Sequence, residues 1–429
     1  GLLAGALPVA AIAAPEIAGL AAVAAALSLF SALDDARSLP VASRLAAHFA
    51  AAVLAVAIAG PPTGGWAAAA LAVLAIAWMA NLFNFMDGAD GLAGGMAVAG
   101  FATLAWAQVS TPVTTIPGMP PVPDPTNLYS ETAPGKMSPS VANDLPRVYV
   151  PTLRGNDVWV IDPATLKVVD KFKVGLGPQH VVPSWDMKTL WVANNAERTP
   201  NGSLTPIDPK TGKPGKAIPV DDPYNMYFTP DGRSAIVVAE AFKRLDFRDP
   251  HTFELQGSLS VPRCGGINHA DFSIDGRYAI FTCEFTGGVA KIDLVNRKVL
   301  GYLQLILPGK PTKVVKGPDG RDETICTTWK GMPQDIRVSP DGRTWYIADM
   351  MSDGIYVVDG ESFAQTDYIR TSTGAHGLYP SRDGKRLYIA NRGSNKVHGP
   401  PKGKGGVSVL DFATRKIVAE WPIPGGGSP

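Results

Sequence analysis

One stretch constrains this chain more than any other. Ser339-Pro340-Asp341-Gly342-Arg343 runs straight into Thr344-Trp345-Tyr346-Ile347-Ala348-Asp349, and the pattern recurs. Thr229-Pro230-Asp231-Gly232-Arg233 precedes Ile236-Val237-Val238-Ala239-Glu240, and Ser273-Ile274-Asp275-Gly276-Arg277 precedes Tyr278-Ala279-Ile280-Phe281. Ser381-Arg382-Asp383-Gly384-Lys385 precedes Leu387-Tyr388-Ile389-Ala390-Asn391, and Ser184-Trp185-Asp186-Met187-Lys188 is a worn copy ahead of Leu190-Trp191-Val192-Ala193-Asn194. Successive turn aspartates, from Asp186, are spaced by 45, 44, 66 and 42 residues, the 66 being one period plus an insertion of about 22 residues. A period in the forties with several short strands per repeat predicts a β-propeller.

Each repeat divides into four strands, with Asp-Gly as a tight turn between the first two. In the repeat from Gln334 they are predicted at 335–339, 344–348, 354–359 and 365–370. The third strand tends to end in aspartate: Asp162, Asp208, Asp293, Asp359 and Asp411. Residues 147–174 supply only the last three strands of a further blade. About six blades are expected over 147–429, with seven in the intact fold and the ring unclosed if a seventh lies past Pro429. The chain reads as a fragment, or a fusion of two unrelated pieces: it opens without Met in an apolar run and stops at Pro424–Pro429, where a new repeat is due.

Charge is divided sharply along the chain. Residues 1–107 carry only Glu16, Asp34, Asp35, Arg37, Arg44, Asp87 and Asp90 as charged residues. The apolar runs 17–33, 45–60, 66–85 and 92–107 are each near the length of a bilayer crossing, so about four transmembrane helices are expected. Arg37 and Arg44 place the joint after the first span in the cytoplasm. Asp34-Asp35 and Asp87/Asp90 lie two spans apart and so emerge on that same face. One further span then puts the repeats outside the cytoplasm. Carboxylates converging at a membrane edge suit a hard cation such as Mg²⁺ held with phosphate oxygens. The net charge of +1 argues against a nucleic-acid partner.

Asn81-Leu82-Phe83-Asn84-Phe85-Met86-Asp87-Gly88-Ala89-Asp90-Gly91-Leu92 resembles the N-x-x-N-x-x-D-G-x-D-G-L signature of the polyprenyl-phosphate N-acetylhexosamine-1-phosphate transferases, glycosyltransferase family 4. Leu33-Asp34-Asp35 with Leu39 and Arg44 resembles that family's Asp-Asp motif. The resemblance implies that Asp87 is a Mg²⁺ ligand supported by Asp90 and Asn84, and that Asp34 and Asp35 serve the metal and the polyprenyl-phosphate acceptor. It implies attack of that phosphate on a UDP-sugar with release of UMP, in bacterial cell-envelope glycan synthesis. The family has about ten spans, and its later loops for the nucleotide sugar have no counterpart here. The resemblance stops after Ala107, and the active site is expected to be incomplete.

Residues 108–146, rich in Pro, Thr and Ser, read as an extended tether or as a segment lying on the propeller surface. The repeats resemble the YVTN-type propeller family, with Leu387-Tyr388-Ile389-Ala390-Asn391 and Leu190-Trp191-Val192-Ala193-Asn194 in the place of the YVTN tetrad. That resemblance implies fold and leaves the role open between an extracytoplasmic ligand- or protein-binding module and an enzyme, lactonase-like or oxidoreductase-associated.

Six residues before each turn aspartate stand His180, Asn225, His269 and Asp335, with His376 seven before. Eight or nine after stand Asn194, Glu240, Glu284, Asp349 and Asn391. Both sets fall at the end of the hairpin away from the turn, ringing one mouth of the channel. They hold a metal or polar ligand there, or else cap strand ends and bind channel water. For the metal, His269, Glu284, Asp335 and Asp349 are the ligand set. The insertion at 304–332 reads as a solvated loop over one blade, with a lid over the mouth as the alternative. Cys264, Cys283 and Cys326 form no disulfide framework and read as three buried thiols, one bridge being the alternative.

Overall fold

The computed structural model describes 40–59, 73–77 and isolated positions around them, and 113–424 apart from 197–198, 319, 321 and 397–402. The chain divides into two units, Gly1–Val109 and Ser110–Pro429.

In the first unit the helix Val41–Ala59 is described, and its stretch Val41–Ile58 is long and apolar enough to cross a membrane. Leu45, Phe49, Val53 and Leu54 lie exposed along it, as suits a helix facing lipid rather than water. The other expected spans fall largely outside the described residues.

The second unit is a six-bladed propeller. Five antiparallel four-stranded sheets and one three-stranded sheet follow one another along the chain, each a simple up-and-down meander. Blade 1 holds three strands, Val148–Thr152, Asp157–Asp162 and Lys167–Lys173. The innermost strands of blades 2 to 6 are Pro178–Pro183, Pro223–Phe228, Ile267–Phe272, Pro333–Val338 and Ala375–Pro380. One cavity is lined by residues from all six blades, from Leu153 in blade 1 to Arg392 in blade 6. The expected seventh blade is therefore not part of the described ring.

The recurring motif builds a turn that satisfies itself. In blade 3 the Thr229 hydroxyl donates to Asp231 at 2.6 Å, Asp231 accepts the amide of Arg233 at 3.1 Å, and the Thr229 oxygen accepts the amide of Ser234 at 3.0 Å. Ser273–Asp275 and Ser381–Asp383 repeat the hydroxyl–carboxylate bond at 2.7 and 2.6 Å. Glycine follows because the residue after each aspartate has a left-handed backbone, φ +72° at Gly342, where a side chain would also strike Ile274. In the worn copy Met187 takes this conformation, at φ 58°. The third-strand aspartates work similarly: Asp162 and Asp411 accept amides of the next turn at 2.8 and 2.7 Å.

Alternation along the strands then packs blade against blade. Ile236, Leu245 and Phe247 of blade 3 meet Ala270, Phe281 and Ile292 of blade 4, and Ile280 and Val289 meet Ile336, Trp345 and Tyr356 of blade 5. Truncating one such side chain to alanine costs about 2–5 kcal/mol.

Three expectations are settled by this architecture. The segment 113–146 lies on the propeller surface, with Ile116 buried and its amide bonded to Asp275 O at 3.0 Å. The insertion forms a hairpin, Thr312–Lys316 with Asp322–Cys326, held to blade 4 by a two-pronged Arg263–Glu323 ion pair at 2.8 and 2.5 Å. None of its described residues lines the channel cavity. The cysteines correct the thiol reading: Cys264 and Cys283 form a disulfide with Cα atoms 4.8 Å apart, and Cys326 is free and buried. The loop entering blade 4 returns beside the end of that blade's second strand, a meeting that a spacing of 19 residues does not reveal.

Candidate functional site

The mouth of the channel is shaped by an irregularity that all five complete blades share. Each innermost strand begins with a register shift against its partner: at Pro178/His180, Pro223/Asn225, Ile267/Ala270, Pro333/Ile336 and Ala375/Leu378. A β-bulge leaves an extra residue unpaired and re-aims its side chain. Here the shifts fall at or beside the residues of the first predicted set. His180, Asn225, His269, Asp335 and His376 all line one cavity of about 1230 Å³, together with Gln334 and Arg337. From the second set Glu240 and Glu284 line it as well.

Contacts within the cavity fix several of these groups. His180 Nδ1 lies 2.8 Å from the Tyr224 carbonyl, which can only accept, so Nδ1 carries the proton and Nε2 remains an acceptor. The His180 and His269 rings meet edge to face with centroids 5.1 Å apart, and Tyr224 packs against both. Asn225 accepts the Met226 amide at 2.8 Å and donates to the Tyr227 hydroxyl at 2.9 Å. Burial holds all three imidazoles below their ordinary range, His376 down to about 4, so they are neutral at pH 7.

The carboxylates behave differently. Asp335 accepts from Arg337 at 2.7 Å and from the Ile336 amide at 2.9 Å, and its other oxygen accepts the Leu378 amide of blade 6 at 2.9 Å. Asp271 accepts the Val338 amide of blade 5 at 2.9 Å. Both tie one blade to the next. Glu284 accepts from Asn268 at 2.9 Å, and burial pushes its pKa up.

The remaining predicted residues are not in the cavity. Asp349 is fully buried and caps the next turn, accepting the amides of Met351 and Ser352 at 3.0 and 2.9 Å; burial pushes it up to about 6. Asn194 and Asn391 are fully buried, donating to Thr205 at 3.0 Å and Ser408 at 2.8 Å. Of the expected metal set, His269, Glu284 and Asp335 line the cavity and Asp349 does not. Asp349 is a cap, Asp335 is held by Arg337 with His269 Nδ1 3.9 Å away, and no group of three His, Cys, Asp or Glu able to hold a metal occurs among the described residues. Gln334, Tyr224, Arg154 and Arg392, which also line the cavity, escape a search keyed to the turn aspartates. The bulges of blades 5 and 6 are alike, and His376 stands where blade 5 has Gln334, and Gly377 where it has Asp335. The offset of seven rather than six was the visible trace of this.

The transferase-like residues Asp34, Asp35, Asn84, Asp87 and Asp90 lie outside the described residues. Residues 17–119 match glycosyl transferase family 4. The family 4 match runs past Ala107, where the resemblance was expected to end, and takes in Ile116. No curated protein matches the chain. Among solved structures, the propeller is similar to the periplasmic gluconolactonase of Pseudomonas aeruginosa at 18% identity and TM-score 0.50, over 66% of this chain and 83% of that one. It is also similar to hydrazine synthase of Kuenenia stuttgartiensis (19%, TM-score 0.40, 63% and 94%) and to a dihydro-heme d1 dehydrogenase (18%, TM-score 0.43, 67% and 65%). At such identities the likeness concerns fold alone.

Proposed function

We propose that the propeller is a binding module for a small, uncharged, hydroxyl-rich ligand held at the channel mouth. The observation that carries this is the common bulge, which turns polar side chains of successive blades into one cavity. The chemistry of the lining supports the ligand class. Arg154, Arg337 and Arg392 stand among Asp222, Glu240, Glu284 and Asp335, so neither sign of charge dominates. Neutral imidazoles and the amides of Asn225 and Gln334 both donate and accept, as a hydroxyl does. Tyr224 and the half-exposed Phe285 supply apolar faces. Glucono-1,5-lactone is a natural first probe, since the Pseudomonas propeller of like fold is a gluconolactonase, with glucose and gluconate beside it. Calorimetric titration of the full chain should show saturable binding of a neutral probe, abolished in Asn225→Leu/Gln334→Leu. Binding of gluconate alone would assign an anion site instead.

For the first unit the supported reading is a segment of a Mg²⁺-dependent sugar-1-phosphate transferase of the bacterial cytoplasmic membrane, with about four spans. It would act on polyprenyl phosphate and a UDP-sugar, through Asp34, Asp35, Asp87, Asp90 and Asn84. Four carboxylates and an amide are a donor set suited to a hard cation. The family match supports this reading, and the absent later loops argue that this stretch alone does not turn over. Membranes carrying the chain, given UDP-N-acetylhexosamine, undecaprenyl phosphate and Mg²⁺, should release no UMP; release abolished by Asp87→Asn would overturn that. The Cys264–Cys283 bridge supports a propeller on the extracytoplasmic side, where disulfides persist.

A further inference from the structure

The segment 113–146 touches the turn ends of five blades. Ile116 is buried at the turn of blade 4, bonded to Asp275 O at 3.0 Å, and Gly118 lies against Asp231 of blade 3. On blade 5, Leu128 donates its amide to Pro340 O at 2.8 Å and the Tyr129 hydroxyl donates to Val338 O at 2.6 Å. Asn127 sits against Gly384 of blade 6. The segment next touches blade 2, where Ser140 Oγ lies 3.9 Å from Met187 Sδ and the Leu145 amide donates to Pro209 O at 2.9 Å.

Asn127 on blade 6 and Leu128 and Tyr129 on blade 5 are followed by Ser140 on blade 2, so the segment crosses from blades 5 and 6 to blade 2. Blade 1 is the three-stranded sheet, and among the described residues no strand of the last blade pairs with it. Consecutive blades are joined by chain; at their seam, blades 6 and 1 have no such joint and, among the described residues, share no strand pairing. A strap anchored on both sides of that seam keeps the parted blades at high effective concentration and must peel before they separate.

We propose that 113–146 is the clasp of the propeller ring, acting across the seam between its last and first blades. The test is hydrogen exchange on the full chain, read at Val148–Thr152 in blade 1, which Leu128 and Tyr129 do not touch. Leu128→Asp/Tyr129→Ala should speed exchange there at least tenfold. Leu259→Ala, a truncation of a half-buried side chain packed against the core of blades 3 and 4, should speed exchange in its own blade and leave Val148–Thr152 as in the parent chain. The milder Tyr129→Phe removes one hydrogen bond, keeps the ring folded, and should speed seam exchange by about fivefold. Seam protection unchanged in Tyr129→Phe, or lost equally in Leu259→Ala, overturns the clasp.

Discussion

The two ends of each blade follow opposite rules. At the turn end the hydroxyl and carboxylate of the Ser/Thr-x-Asp-Gly motif are used by the motif itself, hydroxyl to carboxylate and carboxylate to amide. At the mouth end the strands begin with bulges, and histidine, asparagine and glutamine are directed into a shared cavity. The regular end is scaffold, and the irregular end carries the side chains free to meet a ligand. Regularity in a repeat marks what folding demands of every copy, and departures from it mark what one copy does for the whole.

That contrast can be broken first at the disulfide, which staples the mouth end of blade 4. Replacing Cys264 and Cys283 by serine reopens a loop of 19 residues, and a loss of about 3 kcal/mol is expected from chain entropy. Urea denaturation with and without reductant measures it. If the mouth end tolerates irregularity without reinforcement, the loss will be near zero.

The second test uses pH, because titratable groups are buried mainly at the mouth. An unfolded histidine takes its proton near pH 6.5, but folded His376 only near 4, so between those values the unfolded chain binds more protons and stability rises with pH. For His376 alone the gain from pH 5 to 7 is about 2 kcal/mol. His180 and His269 add to it in the same direction. Asp349, raised to about 6 by burial, works the other way: the folded chain keeps its proton longer, and stability falls as pH rises from about 4 to 6. The sum should still rise. His376→Gln should flatten the urea midpoint against pH, and Asp349→Asn should steepen it.

At the turn end the matching change is Gly342→Val. A side chain at φ +72° is strained and meets Ile274, so about 1–3 kcal/mol should be lost. Ligand titrations at the mouth should be unmoved, since Gly342 lies at the far end of its strands. A variant that weakens binding without unfolding would show that the two ends are coupled.

The sequence made the turn end legible and the mouth only half so. Ser/Thr-x-Asp-Gly is local chemistry: four residues determine the turn, and the strands follow by alternation. The first mouth set could be located by counting back from those turns, and His180, Asn225, His269, Asp335 and His376 do share a cavity. Which of them are free could not be read, because a bulge inserts one residue and leaves no mark in composition. Asp335 and Asp349 read alike as rim carboxylates, yet one bridges two blades and the other caps a buried turn. The disulfide and the strap depend on where distant segments meet, and the Pro-rich composition of 108–146 is as compatible with a tether as with a surface belt.

The smallest effect is the most discriminating, because it sets the turn motif against the strap. In blade 2 the motif's glycine is Met187, held at φ 58°, a conformation that costs an ordinary L-residue about 1–2 kcal/mol. Glycine would relieve that strain but loses about 0.5–1 kcal/mol more backbone entropy on folding. On backbone grounds alone, Met187→Gly should therefore stabilise the chain by up to about 1 kcal/mol. Met187 is also where the strap lands on blade 2, through Ser140, and glycine removes that landing. Urea midpoints for Met187→Gly and for Ser140→Ala separate the two terms. A gain in the first with no change in the second would mean that blade 2 carries a worn turn and nothing else. A loss in both would mean that the methionine is kept for the strap, at the turn's expense.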